Sequence, residues 1–259
     1  MARWTNFYLI RIEFLGFRYH GWQKQPKYRS VQGMIDKTFE FIFQHENFKT
    51  HGCGRTDAKV SADDFAFELF TTESYDAEDL LVQLNQNLPS DIRAKSIELV
   101  DESFNIIQNS KEKEYHYYFS SGAKSHPFNA PLIRDFGAEL NIEKMREAAE
   151  IFKGTHNFKR YASKPTANTI FEREITVSEI IENQNIQANF TPKTSYIFKV
   201  RSKGFLRYQV RLMVGALVNI GRGEWTLEDF QETLSSPEGI QVKHIAPSSG
   251  LVLHEVSFE

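Results

Sequence analysis

Apolar and charged positions alternate through residues 7–14 (FYLIRIEF), with Arg11 and Glu13 breaking the apolar run. A period of two predicts a strand with one solvated face. The period then changes. Val31, Met34, Ile35, Phe39 and Phe43 recur at helical spacing behind Ser30, a residue suited to cap a helix. Residues 64–70 (DFAFELF) return to alternation, with Phe65, Phe67 and Leu69 on one face, and predict a second strand. A helix capped by Asp76 and stopped by Pro89 follows, then a strand at 92–100 (IRAKSIELV). The later part repeats the theme more loosely. It predicts strands at 113–120, 169–183 and 194–203, a helix from 141 that ends near Gly154, a helix at 205–221, and a closing strand at 250–258. Strands and helices in two similar halves, without strict alternation, predict an α+β fold rather than a doubly wound sheet. The division falls near 101–111, giving halves of residues 1–105 and 106–259.

With 259 residues, 41% hydrophobic content and 22 phenylalanines, the chain has ample material for a core. Its single cysteine, Cys53, excludes an intrachain disulfide and suits a reducing compartment such as the cytoplasm. No long uncharged apolar run predicts a membrane span, and the charged N-terminal segment does not have the form of a secretory signal. The formal net charge of -3 does not advertise a nucleic-acid binder. Phosphate affinity depends on local clusters, however, and two segments cluster cations with aromatics. Residues 16–30 (GFRYHGWQKQPKYRS) interleave Arg18, Lys24, Lys27 and Arg29 with Tyr19, Trp22 and Tyr28. Residues 198–211 carry Lys199, Arg201, Lys203, Arg207 and Arg211. Each alone is compatible with a solvated patch; two in opposite halves suggest a basic cleft.

Chemistry concentrates in residues 51–64 (HGCGRTDAKVSADD). Arg55 and Asp57 on a glycine-hinged loop are compatible with a surface ion pair worth ~0–1 kcal/mol. They are equally compatible with a carboxylate kept ionised by a neighbouring guanidinium and anchored to a buried strand. Arg207 and Arg211, four apart beside an apolar stripe, either snorkel to water or meet a carboxylate. Tyr115 and Tyr117 share one strand face, where a ring packs into a core or stacks on a nucleobase. Cys53 lacks a histidine constellation that would activate it, and neither a metal-ligand pattern nor a phosphate-binding glycine loop is present. Asp57, Asp63 and Asp64 as ligands of a phosphoryl-transfer metal form a competing possibility.

The ordered motifs resemble those of tRNA pseudouridine synthases of the TruA type. Gly54–Asp57 (GRTD), followed by Val60 and Ala62, is similar to the family's signature loop. GFRYHGWQKQ resembles its N-terminal DGxxYxGWQ segment, SVQGMIDKTF its TVQG helix, and KEYHYYF its K/R-x-Y-x-Y strand. GFLRYQVRLMVGALVNIGRG and APSSGLVLHEVSF resemble the FLxxMVR helix and the closing strand. The resemblance spans nearly the whole chain. It implies two ferredoxin-like halves sharing a central antiparallel sheet with a basic RNA-binding cleft between them. It implies a homodimer without cofactor or metal that converts uridine to pseudouridine in tRNA, in the anticodon stem-loop. On the matching positions, Asp57 is the catalytic aspartate, Arg211 its partner, and Arg55 the arginine that displaces the target nucleotide. Tyr115 supports the target base, with Gln23 and Arg207 as further substrate-binding residues. This chain departs from the family pattern at Lys59, where glycine is usual, and at Ser61, Leu15, Ile106 and Ile107. Lys59 is the one departure that leaves room for a non-catalytic RNA-binding relative.

Overall fold

The computed structural model describes residues 4–137, 139–239 and 241–258. The chain divides into two compact units, residues 1–111 with 253–259, and residues 112–252.

The first unit holds β1 (Asn6–Phe14), α1 (Val31–Phe43), β2 (Phe48–Gly52), β3 (Ser61–Thr71), α2 (Ala77–Asn87), β4 (Ile92–Leu99) and most of the last strand, β10 (Leu251–Phe258). Strand order is β4-β1-β3-β10, with β2 also paired to β3. The β1, β2 and β4 ladders are antiparallel, with Tyr8 opposite Leu69 and Ile12 opposite Phe65. The predicted caps are in place. Ser30 accepts from the Gly33 N–H, and Asp76 accepts from the amides of Glu78 and Asp79. Each cap satisfies a helix-end donor that would otherwise be orphaned. Strand β3 is buried on both faces, including Ala66 and Glu68. Burial pushes the Glu68 carboxyl above its ordinary pKa, opposed by its bond from the Ile106 amide.

The second unit contains β5 (Ser110–Ser120), β6 (Arg134–Asp135), α3 (Ile142–Ile151), β7 (Gly154–Asn157), β8 (Glu172–Glu182), β9 (Tyr196–Ser202), α4 (Gln209–Gly221) and α5 (Leu227–Ser235). Its strand order is β5-β9-β8-β7, with antiparallel ladders and one short parallel pairing of β6 to β5. Except at Arg211, α4 is buried along its whole length, as expected of a helix that is apolar on nearly every side. An aromatic cluster of Phe152, Phe158, Tyr161, Phe198 and Phe230 fills the core of this unit. The α+β expectation holds: helices and antiparallel strands occur in both units. Among the described residues no helix is long and apolar enough to cross a membrane.

Two elements differ from the sequence expectation. The predicted helix at 205–221 starts four residues late, at Gln209, because Tyr208 sits in the left-handed region at φ 63°. The helix expected to end near Gly154 stops at Ile151, and Gly154–Asn157 pairs with β8. Gly154 has φ 99°, a conformation that ends a helix readily.

Candidate active site

In the first unit the GRTD loop connects β2 to β3. Its backbone is pinned on both sides. The Cys53 amide donates to the Ala66 carbonyl at 2.9 Å, the Trp22 amide to Thr56 at 3.4 Å, and the Lys59 amide to Tyr19 at 3.0 Å. A turn closes from the Val60 amide to the Asp57 carbonyl at 3.2 Å. Two glycines make the fit possible. Gly21 has φ 85°, and a Cβ there would collide with the Thr56 carbonyl oxygen. A Cβ on Gly52 would meet the Trp22 indole. Trp22 is itself buried against Phe65, ring centroids 4.2 Å apart. The loop therefore rests on an aromatic floor of Trp22 and the β3 residue Phe65, and Asp57 stands half-buried at its turn while Arg55 and Gln23 are exposed.

Behind the loop, Asp91 takes the Tyr19 hydroxyl at 2.6 Å and the Arg18 guanidinium at 2.6 and 2.8 Å. Burial alone would raise the Asp91 pKa, but the bonds from Tyr19 and Arg18 outweigh it and hold the carboxyl below its ordinary value. Burial, followed by the Asp91 bond, pushes the Tyr19 phenol up to about 12. Tyr19 is thus a fixed donor, and its backbone carbonyl is the one that holds Lys59.

Lys59 occupies the left-handed region at φ 68°, where the family pattern has glycine. Its ammonium lies 5.4 Å from the Phe17 ring centroid. The loop's hydrogen bonds are made despite the side chain, so the substitution costs strain of about 1–2 kcal/mol rather than shape. Lys59→Gly and Lys59→Val both lose the Phe17 contact, but only the β-branched residue is excluded from this backbone region. The Gly variant is expected to melt about 2–8 °C above the Val variant in calorimetry. Equal melting temperatures would show that the loop moves to accommodate either residue.

The remaining acidic and thiol candidates have structural roles. Asp64 pairs with Arg11 and Lys95, and Asp63 bonds His254 at 3.0 Å. These pairings leave no support for Asp63 and Asp64 as joint ligands with Asp57. Cys53 is a buried thiol.

In the second unit Tyr115 lies half-buried on β5, its ring edge-on to Phe205 at 5.3 Å. Its strand neighbours Tyr117 and His116 are buried. Glu114 accepts from His116 at 2.6 Å and from two Arg201 nitrogens at 2.5 and 2.7 Å. The His116 bond, with Arg201 adding to it, brings the Glu114 carboxyl down to about 2. This ion pair ties β5 to β9 directly beside Tyr115.

Arg211 is in the first turn of α4, where its Nε donates to the Ala246 carbonyl at 2.7 Å and its own carbonyl accepts from the Ala246 amide at 3.0 Å. Arg207 precedes the helix and is exposed, so the two arginines do not share a helix face. They converge by another route. Both guanidinium carbons lie over the Tyr208 ring, at 5.1 and 4.9 Å from its centroid. A bulky residue at positive φ is strained, and such strain clusters at functional sites. Asp91 and Tyr208 carry no signal in the sequence, and Trp22, which the sequence places among the aromatics of a basic surface, is buried.

The two basic segments are less basic than they read. Arg18 is paired with Asp91, Lys24 with Asp36, and Arg201 with Glu114. Lys27, Arg29, Lys203 and Arg207 of these segments are solvent-exposed, as is Arg55 of the loop.

Comparison with known proteins gives a consistent result. A family model described as tRNA pseudouridine synthase matches residues 148–259. A tRNA pseudouridine synthase A of Thermosipho melanesiensis is 34% identical over 257 residues, covering 97% of this chain and 99% of that protein. Proteins of the same name from Thermodesulfovibrio yellowstonii and Aquifex aeolicus are 32% and 33% identical, covering 96% of this chain each and 98% of each relative.

Proposed function

The chain belongs to the tRNA pseudouridine synthase family, and from that membership we propose that Asp57 drives the conversion of uridine to pseudouridine in tRNA. The enzyme is an isomerase: the N1–C1′ bond breaks, the uracil turns, a C5–C1′ bond forms, and the C5 proton is lost as N1 gains one. Such a reaction needs an ionised carboxylate beside the ribose, where positive charge develops as the base departs. It also needs a nucleotide drawn out of its stack, at a cost of a few kcal/mol that is smallest in loops and at stem ends. Within this proposal Arg211 is the cationic partner of Asp57, Arg55 occupies the space of the displaced nucleotide, and Tyr115 carries the detached base on its ring. Gln23 and Arg207 hold the flanking RNA. The target lies in the anticodon stem-loop, and the enzyme works as a cytoplasmic homodimer with neither cofactor nor metal.

The observation that carries this proposal is the loop itself. Asp57 is presented half-buried on a turn pinned by backbone bonds from two directions, and Lys59 adopts the positive φ that glycine would have supplied. Lys59 was the feature favouring a non-catalytic RNA-binding relative, and its conformation removes that ground. The test is release of tritium from C5-labelled uridine in tRNA transcripts, with and without excess chelator. Release that is unchanged by chelator is expected. An inert enzyme, or one that stops when metal is removed, overturns the proposal. Pseudouridine mapping of the products locates the uridine.

A further inference from the structure

The last turn of α4, the loop to α5 and the segment 241–244 border an open cavity of about 420 Å³ in the second unit. Its lining is unusual for a fold-stabilising crevice. Trp225 forms one wall, and Arg222, Lys243 and His244 supply basic groups around it; the Glu224 carboxylate lies 3.7 Å from Arg222, and Asn219 is a polar companion. None of these residues belongs to the proposed catalytic set.

The walls are rigid. Gly215 lies so close to the His244 carbonyl that a Cβ there would collide with it, so segment 242–246 lies flat on α4. The Val242 and Ala246 amides, donating to Arg160 and Arg211, hold that segment at both ends. Gly223 turns the chain at φ 71°, and the Trp225 amide bonds back to the Asn219 carbonyl at 3.3 Å. The His244 ring pairs through Nδ1 with the Asn219 side-chain oxygen at 3.1 Å. That oxygen is an acceptor, so the ring meets it with a proton on Nδ1. Burial, reinforced by Arg222, lowers the His244 pKa and favours the neutral form.

Trp225 has a structural role that must be weighed first. It precedes the cap residue Thr226 of α5, and buried Phe230 stands at the position a hydrophobic staple would contact. A staple accounts for an apolar side chain at 225. It does not account for an indole left half-buried beside a cavity with two exposed or partly exposed cations.

We propose that this cavity binds one unstacked nucleotide of the substrate RNA outside the target site, its base on the Trp225 indole and its phosphate between Arg222 and Lys243. Aromatic stacking is tolerant of base identity, and cations beside the ring suit the attached phosphate. Arg222, the residue that caps the C-terminus of α4, lies eleven residues beyond Arg211, roughly 16 Å along the helix axis. That separation suits a contact several nucleotides away from the isomerised uridine. The proposal rests on tRNA being the substrate.

The experiment measures Kd and KM for tRNA, kcat by tritium release, and melting temperature. It compares the full-length enzyme with Trp225→Leu, Trp225→Phe and Lys243→Gln. Leucine keeps an apolar staple but offers no ring. Trp225→Leu is expected to raise Kd and KM about 5- to 150-fold, with kcat and melting temperature unchanged. Trp225→Phe should restore most of the affinity, and Lys243→Gln should reduce the log–log salt slope of binding by about 0.7–0.9. Wild-type affinity in Trp225→Leu, or equal weakening by Leu and Phe, overturns the proposal. A wild-type enzyme that binds and isomerises no tRNA instead defeats the functional assignment itself.

Discussion

Asp57→Asn is expected to abolish tritium release from C5-labelled uridine in tRNA, a loss of at least ~1,000-fold, while the protein still melts and binds tRNA much as the parent does. A loss of that size corresponds to about 4 kcal/mol of barrier and matches removal of a group acting directly at the reacting centre. The argument for preserved folding is local. The bonds holding the loop to Trp22, Tyr19 and Ala66 run through backbone atoms, and the turn from Asp57 to Val60 closes through a backbone carbonyl. Asparagine keeps the size of the side chain and its tolerance of turns, but cannot carry the negative charge. Since Asp57 is only half-buried, exchanging charge for amide does not strand a polar group in the core. Tritium release approaching that of the parent would show that another group does the chemistry. Collapse of the melting temperature would show instead that the carboxylate is a structural element of the loop.

Much of the first unit was legible because its signals are local. Ser30 and Asp76 announce their helices from within four residues, and the alternation of Phe65, Phe67 and Leu69 marks β3 without reference to anything distant. What escaped detection carries no clear period of its own. Strand β2 is a polar pentapeptide, FKTHG, and is a strand because β3 offers it a ladder. Helix α5 is nine residues long, with its apolar side limited to a few positions, too short for a period to stand out. The late start of α4 shows the opposite failure: its apolar stripe continues through Leu206, while the conformation of Tyr208 breaks the helix. A pattern of side chains does not report a backbone at positive φ.

The candidate site divides along the same line. The GRTD loop and the arginine before α4 could be found as contiguous motifs. The Asp91 carboxylate that fixes Tyr19 stands 72 residues away from it in sequence, and nothing local to either marks the pair. Charge was misleading in its distribution. Several cations that made two segments look like RNA-binding surfaces are already paired with Asp36, Asp91 and Glu114, which leaves Lys27, Arg29, Lys203 and Arg207 of those segments as the exposed remainder. Fewer available cations mean a shallower salt dependence of tRNA binding than the sequence count suggests.

Tyr115→Ala is expected to lower kcat/KM about 5- to 150-fold, and Tyr115→Phe to recover the greater part of that loss. The ring is where such a role requires it. It is half-exposed on β5, while the Tyr117 phenol on the same face is buried and occupied with the Pro247 carbonyl at 2.8 Å. Phe205 meets the Tyr115 ring edge-on at 5.3 Å, an arrangement that fixes its plane without covering both faces. The Glu114–Arg201 ion pair next to it stiffens the strand. A base detached from its ribose has lost its covalent tether, and a fixed aromatic face is worth ~1–3 kcal/mol in holding it. Phenylalanine keeps that face and removes only the hydroxyl. Any deficit left in Tyr115→Phe therefore measures what the hydroxyl does when the C5 proton departs. It would appear as C-glycosidic product formed faster than tritium is released. Parent-like turnover in Tyr115→Ala would show that the ring only packs against Phe205, and the base would need another support.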